Sequence, residues 1–119
     1  MLIVEDEAIA ALGLEAVVAG LGYEVCQSAA SGEEAVKRAN ACRPDIILMD
    51  VNLGEEMDGI EAAREIRSRK NIPMIFISGY SNEVTRKRTG SLSVAEYMEK
   101  PVDFDELERK MQMLLYKPD

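Results

Sequence analysis

Apolar residues in this chain fall into short unbroken runs that alternate with longer stretches of three- and four-residue periodicity. The first run, "MLIV" (1–4), passes directly into Glu5, Asp6 and Glu7. Ile9, Leu12, Ala16 and Ala19 then recur at spacings of three and four, as on one helix face, and Gly20 and Gly22 close that helix. "YEVCQSA" (23–29) predicts a second strand. Ser31 followed by Glu34 has the spacing of a capping box, opening a helix through Ala35, Val36 and Ala39. After Pro44, "DIILMD" (45–50) predicts the third strand. Asp58 and Glu61 open another helix, with Ile60, Ala63 and Ile66 on one side. "MIFIS" (74–78) predicts the fourth strand, after Pro73. The stretch 81–90 is the weakest helix signal, with only Val84 as a sizeable apolar residue. "AEYMEK" (95–100) predicts a short fifth strand. Asp103 and Glu106 cap a last helix with Phe104, Leu107, Met111 and Leu114 on one side.

Strands and helices therefore alternate through the whole chain. Strands that are apolar without interruption are buried on both faces, so the pattern predicts a parallel sheet covered by helices on either side. In such sheets ligands bind beyond the carboxyl ends of the strands. Strand one delivers Glu5 and Asp6 to that edge, strand three Asp50, strand four Ser78 and strand five Lys100. Singly, each has an ordinary explanation: acids cap helices, Ser-Gly opens turns, Lys-Pro enters loops. Together they put three carboxylates, one lysine and one hydroxyl at one edge.

Three adjacent carboxylates repel, and their protons couple, unless a cation sits among them. Mg²⁺ takes carboxylate, carbonyl and water oxygens. Lys100 can neutralise Asp50 or hold an incoming anion. A divalent cation, a lysine, a hydroxyl and a lone carboxylate form a set suited to placing a phosphoryl group on that carboxylate. Asp50 is the candidate nucleophile.

Composition narrows the alternatives. The 119 residues suffice for one domain. Fourteen basic against 22 acidic residues give a net charge of −8, which disfavours direct nucleic-acid binding. The absence of histidine removes Ser-His-Asp and Cys-His catalysis, HExxH zinc sites and a phosphohistidine carrier role. Cys26 and Cys42, with no CxxC, read as small apolar residues of a reducing compartment rather than as a disulfide or metal pair. The longest mostly apolar stretch, residues 8–22, is broken by Glu15 and too short to span a bilayer. No signal peptide is visible, so a cytoplasmic location is expected.

The segments "LIVEDE" (2–7), "PDIILMDVNL" (44–53), "MDGIE" (57–61), "IPMIFISGY" (72–80) and "YMEKPVD" (97–103) together resemble the receiver domain of two-component response regulators, over essentially the whole chain. The resemblance implies a flavodoxin-like (βα)5 fold, a doubly wound parallel five-stranded sheet in order 2-1-3-4-5, with residues 1–119 as a single receiver domain. It implies that Asp50 accepts phosphate from a histidine kinase, a phosphotransfer protein or a small phosphodonor. Glu5, Asp6 and Asp50 would hold Mg²⁺ with the backbone carbonyl of Asn52. Ser78 and Lys100 would contact phosphoryl oxygens, and Tyr97 would be the aromatic switch triggered through Ser78. Asn52 and Tyr80 would tune phosphate lifetime. The Lys100–Pro101 bond would be cis. The region from the fourth helix through the fifth, roughly 81 to 115, would be the output face toward an unknown effector or fused output domain.

Departures from the family pattern are local. Glu5 stands where Asp is more frequent, and Ser78 where Thr is. The loop "VNLGEEMDG" has Gly54 in place of the usual proline, one extra residue, and the acids Glu55 and Glu56. "TGSLSVAEY" lacks the usual alanine-glycine-alanine approach to the last strand. The short first strand and the end at "LLYKPD" suggest a domain trimmed from a longer chain, with a single-domain receiver as the other reading. Two other functions compete. An Mg²⁺-dependent phosphatase with an aspartyl nucleophile would carry it on the first strand with a second Asp two residues on, but position 52 is Asn. A phosphorylation-independent adaptor would have no need of the complete set Glu5, Asp6, Asp50, Ser78 and Lys100.

Overall fold

A computed structural model describes residues 1–53, 57–79, 82–90, 92 and 95–116. The elements follow the alternation except between α1 and α2, where no strand intervenes: β1 (Leu2–Val4), α1 (Ala8–Gly20), α2 (Gly32–Cys42), β2 (Ile47–Asp50), α3 (Gly59–Arg67), β3 (Met74–Ser78), α4 (Asn82–Arg88), β4 (Ala95–Glu99) and α5 (Phe104–Leu115). The four strands form one parallel sheet in the order β1-β2-β3-β4. Alternate strand residues point to opposite faces, and each face has its own core. Leu2, Val4, Ile47, Met49, Met74 and Phe76 pack with α2 and α3. Ile3, Leu48, Ile75, Ile77 and Met98 pack with α1 and α5. This is the flavodoxin-like arrangement expected of a doubly wound sheet.

The segment 23–29, expected as the second strand, does not form one. It runs along the outer edge of β1 and makes only an isolated bridge, Val4 to Ala29. Its N–H groups reach Met1 O from Cys26 (2.8 Å) and Ile3 O from Ala29 (3.0 Å), and Ala29 O accepts from Glu5 N–H (2.9 Å). The two-residue step from Met1 to Ile3 thus faces a three-residue step from Cys26 to Ala29. One extra residue breaks the ladder, in the manner of a bulge. Among the described residues the sheet therefore has four strands, with this irregular edge outside β1.

Two further expectations are corrected. Helix α1 forms where predicted, but it meets the sheet through Ala11, Leu14 and Val18. The face carrying Ile9, Leu12, Ala16 and Ala19 is turned to solvent, with Ile9 87% and Leu12 64% exposed. The helix is apolar on most sides, so spacing alone left the buried side undecided. Cys26 and Cys42 are not separate. The last residue of α2 meets the edge segment with Cα atoms 6.2 Å apart, within disulfide reach, and the two sulfurs are paired.

The helix starts follow their sequence signals. Ser31 accepts from Glu34 N–H at 3.1 Å. Asp58 and Glu61 form a reciprocal capping box. Asp103 accepts from the N–H groups of Asp105 and Glu106. The cis Lys100–Pro101 bond is present. Residues Gly54, Glu55, Glu56, Tyr80 and Ser81, and the side chain of Val84, lie outside the described set.

Gly59 opens α3 directly against the end of β2. Its N–H donates to Val51 O at 3.0 Å. A Cβ there would stand 2.1 Å from Asp50 O and 2.9 Å from Val51 Cα, both backbone atoms of the strand tip. Gly59→Ala is therefore expected to lower unfolding stability by about 2 kcal/mol, as overpacking does. Urea titration checks this, and an unchanged midpoint would contradict so close an approach.

Candidate functional site

The carboxyl ends of β1, β2, β3 and β4 bring the predicted residues to one edge. Glu5 follows β1 directly, and its backbone is fixed by Ala29 O. Its side chain is only 7% exposed and accepts from Asp6 N–H at 3.1 Å. Asp6 is exposed. Asp50 ends β2 and is 3% exposed. Carboxylate oxygens of Glu5, Asp6 and Asp50 lie within 4.8 Å of one another.

Both oxygens of Asp50 are engaged. Oδ1 accepts from Asn52 N–H at 2.9 Å, and Oδ2 accepts from Lys100 Nζ at 3.1 Å. Lys100 is carried by the chain leaving β4, and its N–H donates to Ser78 O at 2.8 Å. That bond ties the lysine to the end of β3. Ser78 is buried there, on the sheet face of Phe76, one position past the Asp50–Ile77 register pair. Asp50 and Lys100 border a cleft of about 610 Å³ between the starts of α1 and α5, with Glu5, Glu7, Pro101 and Phe104. A larger cavity of about 880 Å³ lies at the opposite ends of the strands, near Met1, Arg43 and Asp45. It is far from the carboxylate cluster and holds none of the predicted residues.

Electrostatics follow from this packing. Burial first, then the hydrogen bond and charge of Asp50, push the Glu5 carboxyl up to about 8, although Lys100 pulls the other way. Burial alone would lower the Lys100 ammonium. The hydrogen bond and charge of Asp50, with Glu5 and Glu7, outweigh burial and hold it above its ordinary value. The cluster thus carries more negative charge than one lysine balances. Hard oxygen donors, close spacing and uncompensated repulsion fit a divalent cation such as Mg²⁺.

Tyr97 is buried, 7% exposed, on β4. Its ring stacks on Phe76, with centroids 5.9 Å apart and planes 22° apart. Its hydroxyl lies 2.8 Å from Thr89 Oγ1, and the Arg86 guanidinium carbon stands 4.3 Å from the ring centroid. Thr85 and Thr89, in the α4 region, are buried polar residues at 3% and 0% exposure. In a stretch whose only sizeable apolar residue is Val84, neither threonine reads as a core residue. Their spacing of four was the available signal. Tyr80, expected to tune phosphate lifetime, lies outside the described residues. Asn52 is present beside Asp50 through its N–H.

Comparison with known proteins gives a consistent result. A family model described as the response regulator receiver domain matches residues 1–112. The transcriptional regulatory protein PdtaR of Mycobacterium tuberculosis is 34% identical over 107 residues, covering 90% of this chain and 52% of that protein. The alkaline phosphatase synthesis transcriptional regulatory protein PhoP of Bacillus subtilis is 30% identical over 120 residues, covering 100% of this chain and 49% of that protein. The chain thus spans about half the length of these curated relatives. Among solved structures, the receiver domain of a sensor histidine kinase from Pseudomonas aeruginosa has magnesium coordinated in its active-site cleft. It matches with a TM-score of 0.82 at 34% identity, covering 95% of this chain and 93% of that one. A chain of the CheX–CheY complex with BeF3 and magnesium, from Borrelia burgdorferi, matches with a TM-score of 0.85 at 28% identity, covering 98% and 88%.

The raised Glu5 carboxyl sets a pH dependence. A group that holds its proton more tightly when folded contributes stability that is complete below its ordinary value, 4.5, and lost as pH rises through about 8. In a chelator, the chain is expected to lose stability between pH 5 and pH 8.5. Glu5→Gln, neutral throughout, should lose roughly 2–4 kcal/mol less over that interval. Urea titrations at the two pH values check this, and parallel losses in both proteins would contradict it.

Proposed function

The chain belongs to the response regulator receiver domain family, and from that premise we propose that Asp50 is its phosphoacceptor. The observation that carries this reading is the setting of Asp50: buried at a strand tip, beside two other carboxylates, with one oxygen on Lys100 and the other on a backbone N–H. The phosphodonor is a phosphohistidine of a histidine kinase or phosphotransfer protein, or a small phosphoramidate or acyl phosphate.

In the step proposed, an Asp50 carboxylate oxygen attacks phosphorus and forms the acyl phosphate. The P–N bond to the donor imidazole breaks, and the imidazole nitrogen leaves with the electron pair and takes up a proton. Lys100 moves its hydrogen bonds from the carboxylate to a phosphoryl oxygen, and the Ser78 hydroxyl binds another. Glu5, Asp6 and Asp50, with the Asn52 carbonyl, would hold Mg²⁺. When bound, that ion offsets negative charge on the carboxylates and the phosphoryl group. Asn52 and Tyr80 would tune the lifetime of the acyl phosphate.

The acyl phosphate adds about −1.5 to −2 charges and new acceptor oxygens. Ser78 turns toward them, and Tyr97 occupies the space behind it. A ligand of this kind shifts a two-state equilibrium by its differential affinity. The output is a change of binding surface around α4, β4 and α5, read by an effector or a fused domain. The activity is self-phosphorylation and self-dephosphorylation, without a separate substrate. Among the described residues no helix is long and apolar enough to cross a membrane, and the net charge of −8 argues against direct nucleic-acid contact by this domain. The proposed setting is cytoplasmic.

Incubation with phosphoramidate, followed by intact mass measurement, tests the reading. One added phosphoryl group is expected, dependent on Mg²⁺ and absent in Asp50→Asn. An unmodified chain under all conditions would favour a phosphorylation-independent adaptor, and an adduct that survives Asp50→Asn would place the acceptor elsewhere.

A further inference from the structure

Thr89 has no part in the phosphoryl site, yet its hydroxyl is fully buried and doubly engaged. Thr89 Oγ1 donates to Thr85 O at 2.8 Å, which commits its only proton. The second contact, 2.8 Å to the Tyr97 hydroxyl, is then one in which Tyr97 donates and Thr89 accepts. The backbone of Thr89 is held on both sides. Its N–H bonds Thr85 O at 3.0 Å, and its carbonyl accepts from Leu92 N–H at 2.8 Å. This acceptor is therefore rigid and belongs to the end of α4. Arg86, one turn earlier and exposed, lays its guanidinium over the same ring at 4.3 Å. Such a cation–π contact is favourable at an exposed site. Phe76 stacks against the ring from within the sheet.

We propose that Thr89, assisted by Arg86, is the positioning residue that holds Tyr97 buried, and so links the attitude of α4 to the state of Asp50. The proposal rests on the reading of Tyr97 as the switch residue and deepens it. Removing the acceptor leaves a buried hydroxyl unpaired, which favours the arrangement in which that hydroxyl reaches water. On that reading Tyr97 occupies the space that Ser78 leaves, so by linkage whatever favours buried Tyr97 also favours binding of a phosphoryl group at Asp50. The same end of α4 is also tied to α3. Arg88 pairs with Asp58 at the start of α3, and Arg64 donates to the Arg88 carbonyl. These contacts fix the end of α4 that carries Thr89 beside the Tyr97 hydroxyl.

The test uses the full chain with its four tyrosines replaced by 3-fluorotyrosine, with Tyr97→Phe assigning the relevant fluorine resonance. A soluble paramagnetic agent reports exposure of that ring, and titration with beryllofluoride and Mg²⁺ reports binding of the phosphoryl mimic. Thr89→Val, equal in shape but without an acceptor, is expected to expose Tyr97 and to raise the titration midpoint roughly 5-fold, the scale of one buried hydrogen bond. Thr89→Ser should match the parent. Arg86→Gln, a surface change that keeps the fold, should shift both readouts in the same direction by a smaller factor. In a Tyr97→Phe background Thr89→Val should no longer move the midpoint. Unchanged Tyr97 exposure in both Thr89→Val and Arg86→Gln would overturn the proposal. So would a midpoint shift that persists without the Tyr97 hydroxyl. A parent chain that binds the mimic no better than Asp50→Asn would overturn the phosphoacceptor reading instead, while the exposure measurement would still decide on Thr89.

Discussion

Glu5, Asp6 and Asp50 bring carboxylate oxygens within 4.8 Å of one another at the tip of an apolar sheet, and the rest of the structure must withstand that repulsion. The parallel register of β1 and β2 puts two of these acids side by side. The two hydrophobic cores on either face prevent the strands from separating to relieve it. Lys100 supplies one opposing charge at 3.1 Å from Asp50. Burial first, and then the hydrogen bond and charge of Asp50, raise the Glu5 carboxyl to about 8. A site under this constraint gains from any cation it admits, and its charge balance changes again when an anion is attached to Asp50.

The supports of the tip lie on several elements. Ala29 O fixes the Glu5 backbone from the irregular edge segment. Gly59 allows α3 to begin against the carbonyl of Asp50, where no side chain fits. Lys100 N–H is held by Ser78 O, so the lysine and the hydroxyl share one backbone bond across β3 and β4. Ser78 lies on the same sheet face as Phe76, and Phe76 touches Tyr97, which is hydrogen-bonded to Thr89 at the end of α4. A chain of contacts thus runs from the acidic tip to a helix on the surface.

The sheet, its helices and the site were largely legible because strong local signals agreed with the global pattern. The runs at 46–49 and 74–77 had to be buried strands, and Asp58 and Asp103 had the cap spacing that the structure uses. Convergence of Glu5, Asp6, Asp50, Ser78 and Lys100 followed from parallel topology alone. The misread parts have physical causes. Helix α1 is apolar on more than one side, so the face of Ile9 and Leu12 could not be told from that of Leu14 and Val18. The single extra residue between Cys26 and Ala29 does not alter strand composition, yet it breaks the ladder. The pairing of Cys26 with Cys42 depends on where α2 ends in space. Thr85 and Thr89 looked like surface residues because burial of a hydroxyl is revealed only by its partner.

The donor set Glu5, Asp6 and Asp50 fits a divalent cation at the acidic tip. Thermal unfolding of the intact chain at pH 8, with Mg²⁺ added stepwise after chelator treatment, tests it most directly. Binding to the folded state alone must raise the midpoint with concentration. The account predicts a rise of several degrees that is largely lost in Asp50→Asn and Glu5→Gln at matched ionic strength. A midpoint that does not respond to Mg²⁺, or that rises equally in the parent and both variants, would contradict it.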